Sequence, residues 1–338
     1  MSKIRIISEQ DIEKIMTLPK AMEAVEHAYM QKHTGNGNVW PMVFHEFEPG
    51  HADLDIKSGN LNEEGIFGLK VVSWFGENPG KNLPALYGTS VIFELSTGKP
   101  KAVLNAGAIT DLRTGAAGAL GAKYLARTNS RNLLMAGTGG LAPFLIAATL
   151  ITMPQLEKVM LVSPRTPVNA ECRLNSITVK VDELLAAGGA KRHAEIIAST
   201  DLEGCVRDSD IIITATPAYE PFIRAEWVRP GTHFSCVGSD MNGKQEIDSA
   251  IFAKAKVFGD DTEQCLAVGE CEKPYHEGLM TKLEAEIGAV IIGENQGRTS
   301  DEDITIFDST GIALQDLACA SIIMREAVEK ELGTLATL

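Results

Sequence analysis

Three residues of this chain are the best placed, by type and setting, to do chemistry. Lys70 stands alone in the apolar stretch "GLKVV". A lysine is expensive to bury unless paired, and desolvation lowers its pKa toward the range where it can give or take a proton. The competing reading is a lysine that reaches past an edge strand into water, since buried charges are uncommon. Arg113, in "DLRTGAA", has the planar fork that suits a carboxylate, and a helix start there adds to the positive field. An ordinary salt bridge would use it equally well. Asp240, in "GSDMNGKQE", can serve as a base or orient a water, although Asp before Met-Asn-Gly is also a good turn.

A second set of residues speaks for a cofactor. "LLMAGTGGLA" reads as strand, glycine loop and helix, with Gly137, Gly139 and Ala142 spaced as G-x-G-x-x-A around Thr138, Gly140 and Leu141. The first glycine permits the tight turn, the second lets backbone N–H groups approach a pyrophosphate, and the small third residue lets helix pack on strand. The helix N-terminus adds partial positive charge for the phosphates. Such a loop can also be a plain packing device, but its neighbours argue for a dinucleotide. "KVMLVSPRTP" ends where a second strand of the same fold belongs, and "DIIITATPA" is a further buried parallel strand that runs into Thr216 and Pro217. The second strand ends in Ser163, Pro164, Arg165 and Thr166, with no acidic residue to hold both ribose hydroxyls. A hydroxyl and a guanidinium suit a 2′-phosphate, so NADP(H) is favoured over NAD, with a solvated Arg165 stacking on adenine as the other possibility.

The elements that must position these residues follow from hydrophobic period. Two helices are expected between Glu9 and His33, and β-branched and aromatic runs cut by Gly, Pro and Asn predict an antiparallel or mixed sheet over residues 34 to 110. An Ala-rich helix follows, then alternating strands and helices to about residue 310, then one amphipathic helix from "GIALQDLACASIIMREAVEKELG". "VVSWFG" and "GTSVIFEL" are more apolar than one covered sheet face requires, which predicts an obligate homodimer joined through the N-terminal domain.

Composition excludes several classes of partner. At 338 residues, with 44% hydrophobic and 22% charged, the chain can bury two cores. The formal charge of -14 opposes attraction to nucleic acid or anionic lipid. No run approaches the ~20 apolar residues of a membrane span, and no signal peptide is apparent, so the expected location is the cytoplasm. Six scattered cysteines have no zinc-like spacing and read as free, mostly packed thiols with no metal site.

Taken together, "GLKVVSWFGENP", "LPALYG", "STGKP", "DLRTGAAGALGAKYLAR", "MAGTGGLAPF", "VGSDMNGKQEID" and "DITIFDSTGIALQDLACA" resemble the ornithine cyclodeaminase/mu-crystallin family over nearly the whole chain. The resemblance implies an α/β fold in two domains. A Rossmann domain over residues 118 to 311 would be inserted in a mixed β-sheet domain, residues 1 to 117 and 312 to 338, that binds substrate and dimerises. It implies nicotinamide chemistry at the Cα–N bond of a small amino or imino acid. Lys70 then matches the lysine beside substrate and nicotinamide, Arg113 the arginine for the substrate carboxylate, and Asp240 the residue that steers an amine or activates water. Gly238, Ser239, Thr310 and Gly311 fall among the cofactor-binding positions. One departure stands out: no arginine lies between Arg5 and Arg113, so a second carboxylate contact is missing or replaced, with His45 and Lys57 as the available replacements. Three readings follow: an imino-acid reductase or amino-acid dehydrogenase, a cyclodeaminase that recycles NAD, and a cofactor- or ligand-binding protein without turnover.

Overall fold

The computed structural model describes residues 3–48 and 50–338. The chain divides into two compact units, residues 1–113 with 312–338 and residues 114–311. The division falls inside a helix, a turn before the boundary expected from the sequence.

The first unit is built on a mixed sheet. Its elements are β1 (Lys3–Ile7), α1 (Glu9–Glu13), α2 (Leu18–His33), β2 (Gly37–Glu48), β3 (Ala52–Leu61), β4 (Ile66–Phe75), β5 (Leu86–Glu94), β6 (Pro100–Asn105) and the start of α3 (Ala106–Leu125). After the second unit the chain returns through α10 (Ala313–Glu329) and β15 (Thr334–Thr337). The strand order is β15-β1-β6-β5-β4-β3-β2, antiparallel throughout except for the β1–β6 pair. The short strands β1 and β15 have too few residues for a period to be read.

Alternation along the strands sorts the two faces. Lys57, Lys70 and Ser90 are register partners across β3, β4 and β5 and share a face with Leu61, Val72 and Ile92, all buried. Helix α10 covers this face against β3 and β4 and packs on α2. Two strand glycines set its approach. A Cβ at Gly59 would stand 2.4 Å from the Asn38 carbonyl and 3.0 Å from Leu314, and one at Gly68 would stand 2.6 Å from the Val91 carbonyl and 2.9 Å from Leu317. The carbonyls of the adjoining strands therefore require glycine at both positions, and Leu314 and Leu317 of α10 occupy the space above them. The opposite face carries a row of rings, Trp40, Phe67 and Phe93, at centroid spacings of 6.1 and 5.0 Å.

The second unit runs from the rest of α3 through β7 (Asn132–Ala136), α4 (Ala142–Thr152), β8 (Lys158–Val162), α5 (Val168–Ala187), β9 (Glu195–Ala198), α6 (Leu202–Asp208), β10 (Ile211–Thr214), β11 (His233–Cys236), β12 (Ala255–Gly259), α7 (Thr262–Val268), α8 (Glu272–His276), β13 (Ala285–Glu286), α9 (Ile287–Ile291) and β14 (Ile304–Asp308). The strand order is β13-β12-β14-β11-β10-β7-β8-β9, every pair parallel. Strands β10 and β11 are buried at every residue, as a parallel sheet covered on both faces demands. From β7 the chain steps one way to β8 and β9 and then returns to β10 on the other side. That reversal is the Rossmann switch point, where ligands bind beyond the carboxyl ends of the strands.

Candidate active site

The glycine loop lies at that switch point. Gly137 has φ of +128°, and a Cβ there would stand 2.5 Å from the Ala215 carbonyl, so only glycine fits. Gly139 and Gly140 differ: a Cβ on either meets nothing within 4 Å, so the protein's own packing does not demand glycine at either position. Ala142 opens α4 and is buried. A cavity of about 510 Å³ is bounded by Gly137, Thr138, Gly139, Ser163, Arg165 and Thr216, with Pro217 and Tyr219 on its wall. Its glycine floor and the helix N-terminus beside it fit a dinucleotide whose phosphates rest on backbone N–H groups. Ser163 is buried at the rim, whereas Arg165 and Thr166 are exposed on the loop before α5.

Buried carboxyl groups hold the loops of this unit, and no local pattern in the sequence marks them. Glu246 accepts from the N–H and hydroxyl of Thr216, both at 2.7 Å, and from the N–H of Gly238 at 3.1 Å. Glu270 accepts from the N–H groups of Glu246 and Ile247, each at 2.7 Å, and from the Ser239 hydroxyl. Asp260 accepts from the Thr310 hydroxyl and the Gly311 N–H, each at 2.8 Å. Burial raises the pKa of all three carboxyls, and pushes Asp308, at the end of β14, up to about 8. Gly238, Ser239, Thr310 and Gly311 are thus bound by internal acids. Asp240 is about half exposed, with Lys244 Nζ at 2.7 Å. Burial works against the Lys244 charge, but the adjacent Asp240 outweighs it and raises its pKa.

In the first unit, Lys70 projects from an interior strand toward α10, which removes the reading in which it reaches solvent past an edge. Its Nζ lies 3.1 and 3.0 Å from the two carboxylate oxygens of Asp316 and 3.4 Å from the Thr110 hydroxyl. Burial, reinforced by Arg113 and Lys57 and opposed by Asp316 and Asp55, brings the Lys70 pKa down to about 8. Arg113 is also buried. It donates to Gln315 Oε1 at 3.1 Å, Gln315 donates to the Tyr29 hydroxyl, and Arg113 Nε stands 3.6 Å from Asp316.

Two expectations need correcting here. Helix α3 begins at Ala106, where Asn105 accepts from the Ala108 N–H at 3.2 Å. Arg113 therefore sits two turns inside the helix, beyond reach of the terminal dipole, which fades within a turn. His45 is paired with Leu54, while Lys57 and Asp55 point to the other face of β3. The pleat thus turns His45 away from Lys70 and Arg113, onto an exposed surface where it meets Phe47 edge-on at 5.0 Å. Lys57, by contrast, is buried and directly opposite Lys70. Around these cations Asp55 Oδ1, Ser90 Oγ and Arg113 Nε are buried without a hydrogen-bond partner among the described residues, and Asp316 Oδ2 has only its ion pair with Lys70. Buried polar groups are usually satisfied, so this concentration of unmet ones is what a site for a polar ligand leaves behind.

All six cysteines are free, five of them buried, and among the described residues no cluster of His, Cys, Asp and Glu could hold a metal ion. No helix among them is long and apolar enough to cross a membrane.

The parallel sheet and its glycine loop define a dinucleotide-binding α/β protein. The chain belongs to the ornithine cyclodeaminase/mu-crystallin family, whose model matches residues 3–331. It is 36% identical over 331 residues, 97% of each chain, to an alanine dehydrogenase of Archaeoglobus fulgidus. Among solved structures, an archaeal alanine dehydrogenase dimer with bound NAD aligns over 100% of both chains with a TM-score of 0.87 and 34% identity. Thermococcus litoralis Δ1-pyrroline-2-carboxylate reductase, in complex with NADH and L-proline, aligns over 98% of this chain and 99% of its own with a TM-score of 0.89 and 29% identity.

Proposed function

We propose that the chain is an NAD(P)-dependent oxidoreductase acting on the Cα–N bond of a small amino or imino acid, as a reductase or a dehydrogenase. The observation that carries this reading over a cyclodeaminase is the charge of the covered sheet face. Lys57, Lys70 and Arg113 share it with Asp316 and Asp55, a balance that welcomes one substrate carboxylate and opposes a second ammonium such as that of ornithine. Arg113, fixed by Gln315, takes the carboxylate with Lys57 beside it. Lys70 manages the proton at the substrate nitrogen, and Asp240 orients the amine or a water. The backbone from Gly137 to Ala142 holds the pyrophosphate, with Thr216 and Pro217 as wall. Ser163, Arg165 and Thr166 hold the adenosine ribose and favour its 2′-phosphate, hence NADP(H). The bound nicotinamide supplies or accepts the hydride. The ringed face of the sheet, with Trp40, Val43 and Tyr87 exposed, joins two copies into a homodimer, and the free thiols suit a reducing cytoplasm.

The deciding assay offers a panel of amino acids, cyclic imines, and keto acids with ammonia or amines, and follows reduced-cofactor absorbance together with ammonia. Net consumption or production of reduced cofactor with a small monocarboxylic substrate is expected. Ornithine converted to proline and ammonia at constant absorbance would replace this reading by the cyclodeaminase, and no turnover on any member of the panel would leave only binding.

A further inference from the structure

Asp316 was not marked out by the sequence analysis, yet it lies where Lys70 and Arg113 converge. We propose that Asp316 is a positioning residue of the reaction, holding the Lys70 ammonium through both carboxylate oxygens and steadying Arg113, so that its charge sets the proton affinity of Lys70. The proposal rests on the reading of Lys70 as the proton-handling group.

The geometry is specific. Both Asp316 oxygens lie within 3.1 Å of Lys70 Nζ, and side-chain exposure is 2% for Lys70 and 4% for Asp316. The close seat of α10 over Gly59 and Gly68 brings the carboxylate to that depth. The other groups facing Lys70 are Lys57 and Asp55 from β3, Arg113 from α3 and the neutral thiol of Cys319 from α10. Two of these are cations, so Asp316 is the main influence favouring the charged lysine against burial. In low dielectric a counter-charge at this distance is worth far more than at the surface. Asp316 does not touch the reacting atoms in this account and acts through Lys70.

The sign of one measurement separates this role from a packing role. Full-length protein labelled with ¹³C at lysine Cε is titrated by NMR without substrate, and Lys70 is assigned by the signal lost in Lys70→Met. The wild-type midpoint is expected near 8. Asp316→Asn should lower it by about 1 to 3 pH units, the usual effect of a close counter-charge, while Asp316→Glu, which keeps the charge, should stay nearer the wild type. Arg113→Gln should move the midpoint upward. If Asp316 only fills space, Asp316→Asn will loosen the site, admit water and raise the midpoint toward that of a free lysine. An unchanged or raised midpoint overturns the proposal. Should Asp316→Asn not fold, as judged by circular dichroism, Asp316→Ser carries the same test with the same deciding sign. In kinetics, the alkaline limb of the reductive reaction, which needs the ammonium, should shift to lower pH with the NMR midpoint. A wild-type protein with no turnover on amino or imino acids would sink the functional reading and leave the midpoint result standing.

Discussion

Five carboxyl groups, Glu246, Asp260, Glu270, Glu272 and Asp308, are buried in the Rossmann unit, and three cations, Lys57, Lys70 and Arg113, are buried on the covered face of the sheet unit. Both arrangements look costly, because either kind of charge pays for leaving water. They differ in what surrounds them. Glu246, Glu270 and Asp260 each accept several hydrogen bonds from backbone N–H groups and hydroxyls, so they tie Thr216, Gly238, Ser239, Thr310 and Gly311 into fixed loops. Asp308 keeps one oxygen, Oδ1, without a partner, whereas around the cation group Asp55 Oδ1, Ser90 Oγ and Arg113 Nε are all unpartnered among the described residues. Buried carboxyls met by loop hydrogen bonds shape a scaffold, and a concentration of unmet polar atoms among buried cations marks where a ligand is received.

The strongest way to break this contrast is Lys70→Met. Loss of a positioned acid or base should lower kcat by ~10²- to 10⁴-fold, with cofactor affinity, measured by fluorescence titration, nearly intact. A variant with near-normal kcat would reduce Lys70 to filler. Arg113→Ala comes next. Removing a charged carboxylate contact should raise KM for the amino or imino acid by roughly 10- to 100-fold, and an unchanged KM would place the carboxylate elsewhere.

On the acidic side the expected effect is on stability. Asp308 holds its proton in the folded chain up to about 8, whereas the unfolded chain releases it near 4. Between those values the unfolded state binds fewer protons, so stability falls as pH rises from about 4 to 8 and levels off above. Asp308→Asn, which is never charged and keeps an acceptor for the Cys271 N–H, should flatten that slope. Its Tm should exceed the wild type by about 5 °C or more at pH 8 and converge with it near pH 4. Parallel pH curves would mean that the carboxyl is ionised and matched in some other way. The smallest effect is expected at the cavity rim, where Arg165 is exposed. Arg165→Ala should weaken NADPH roughly 10-fold more than NADH, and equal losses would remove the preference for the 2′-phosphate.

Legibility in the sequence follows the same divide. The glycine loop, the buried strands β7, β8 and β10 and Lys70 are readable because local pattern fixes them: a turn that needs glycine, a short run of mostly aliphatic residues, a charge where alternation calls for none. Asp316 has a comparable signal, since it falls with Ala313, Ala320 and Ile323 on the apolar stripe of α10, but an acid on such a stripe also suits an ordinary amphipathic helix. Glu246 and Glu270 gave none, because their value comes from backbone N–H groups of loops that only the fold brings to them. The placement of His45 failed for a further reason. The register of β2 against β3, with a shift between Trp40 and Val43, decides which face it takes, and a one-residue change reverses the outcome.

Strands β1 and β15 pair antiparallel, Lys3 with Thr337 through Ile6 with Thr334, and the Rossmann unit lies wholly between them in the chain. On the ribosome, therefore, all of residues 114–311 emerges before α10 does. The Rossmann unit can fold while the sheet unit still lacks the helix that covers it. Asp316 and Gln315 are among the late arrivals, so Lys70 and Arg113 remain open to water until synthesis has passed them. A chain interrupted before α10 would have the strands and helices of the dinucleotide fold and no buried cation site, so the chemistry waits on the synthesis of α10.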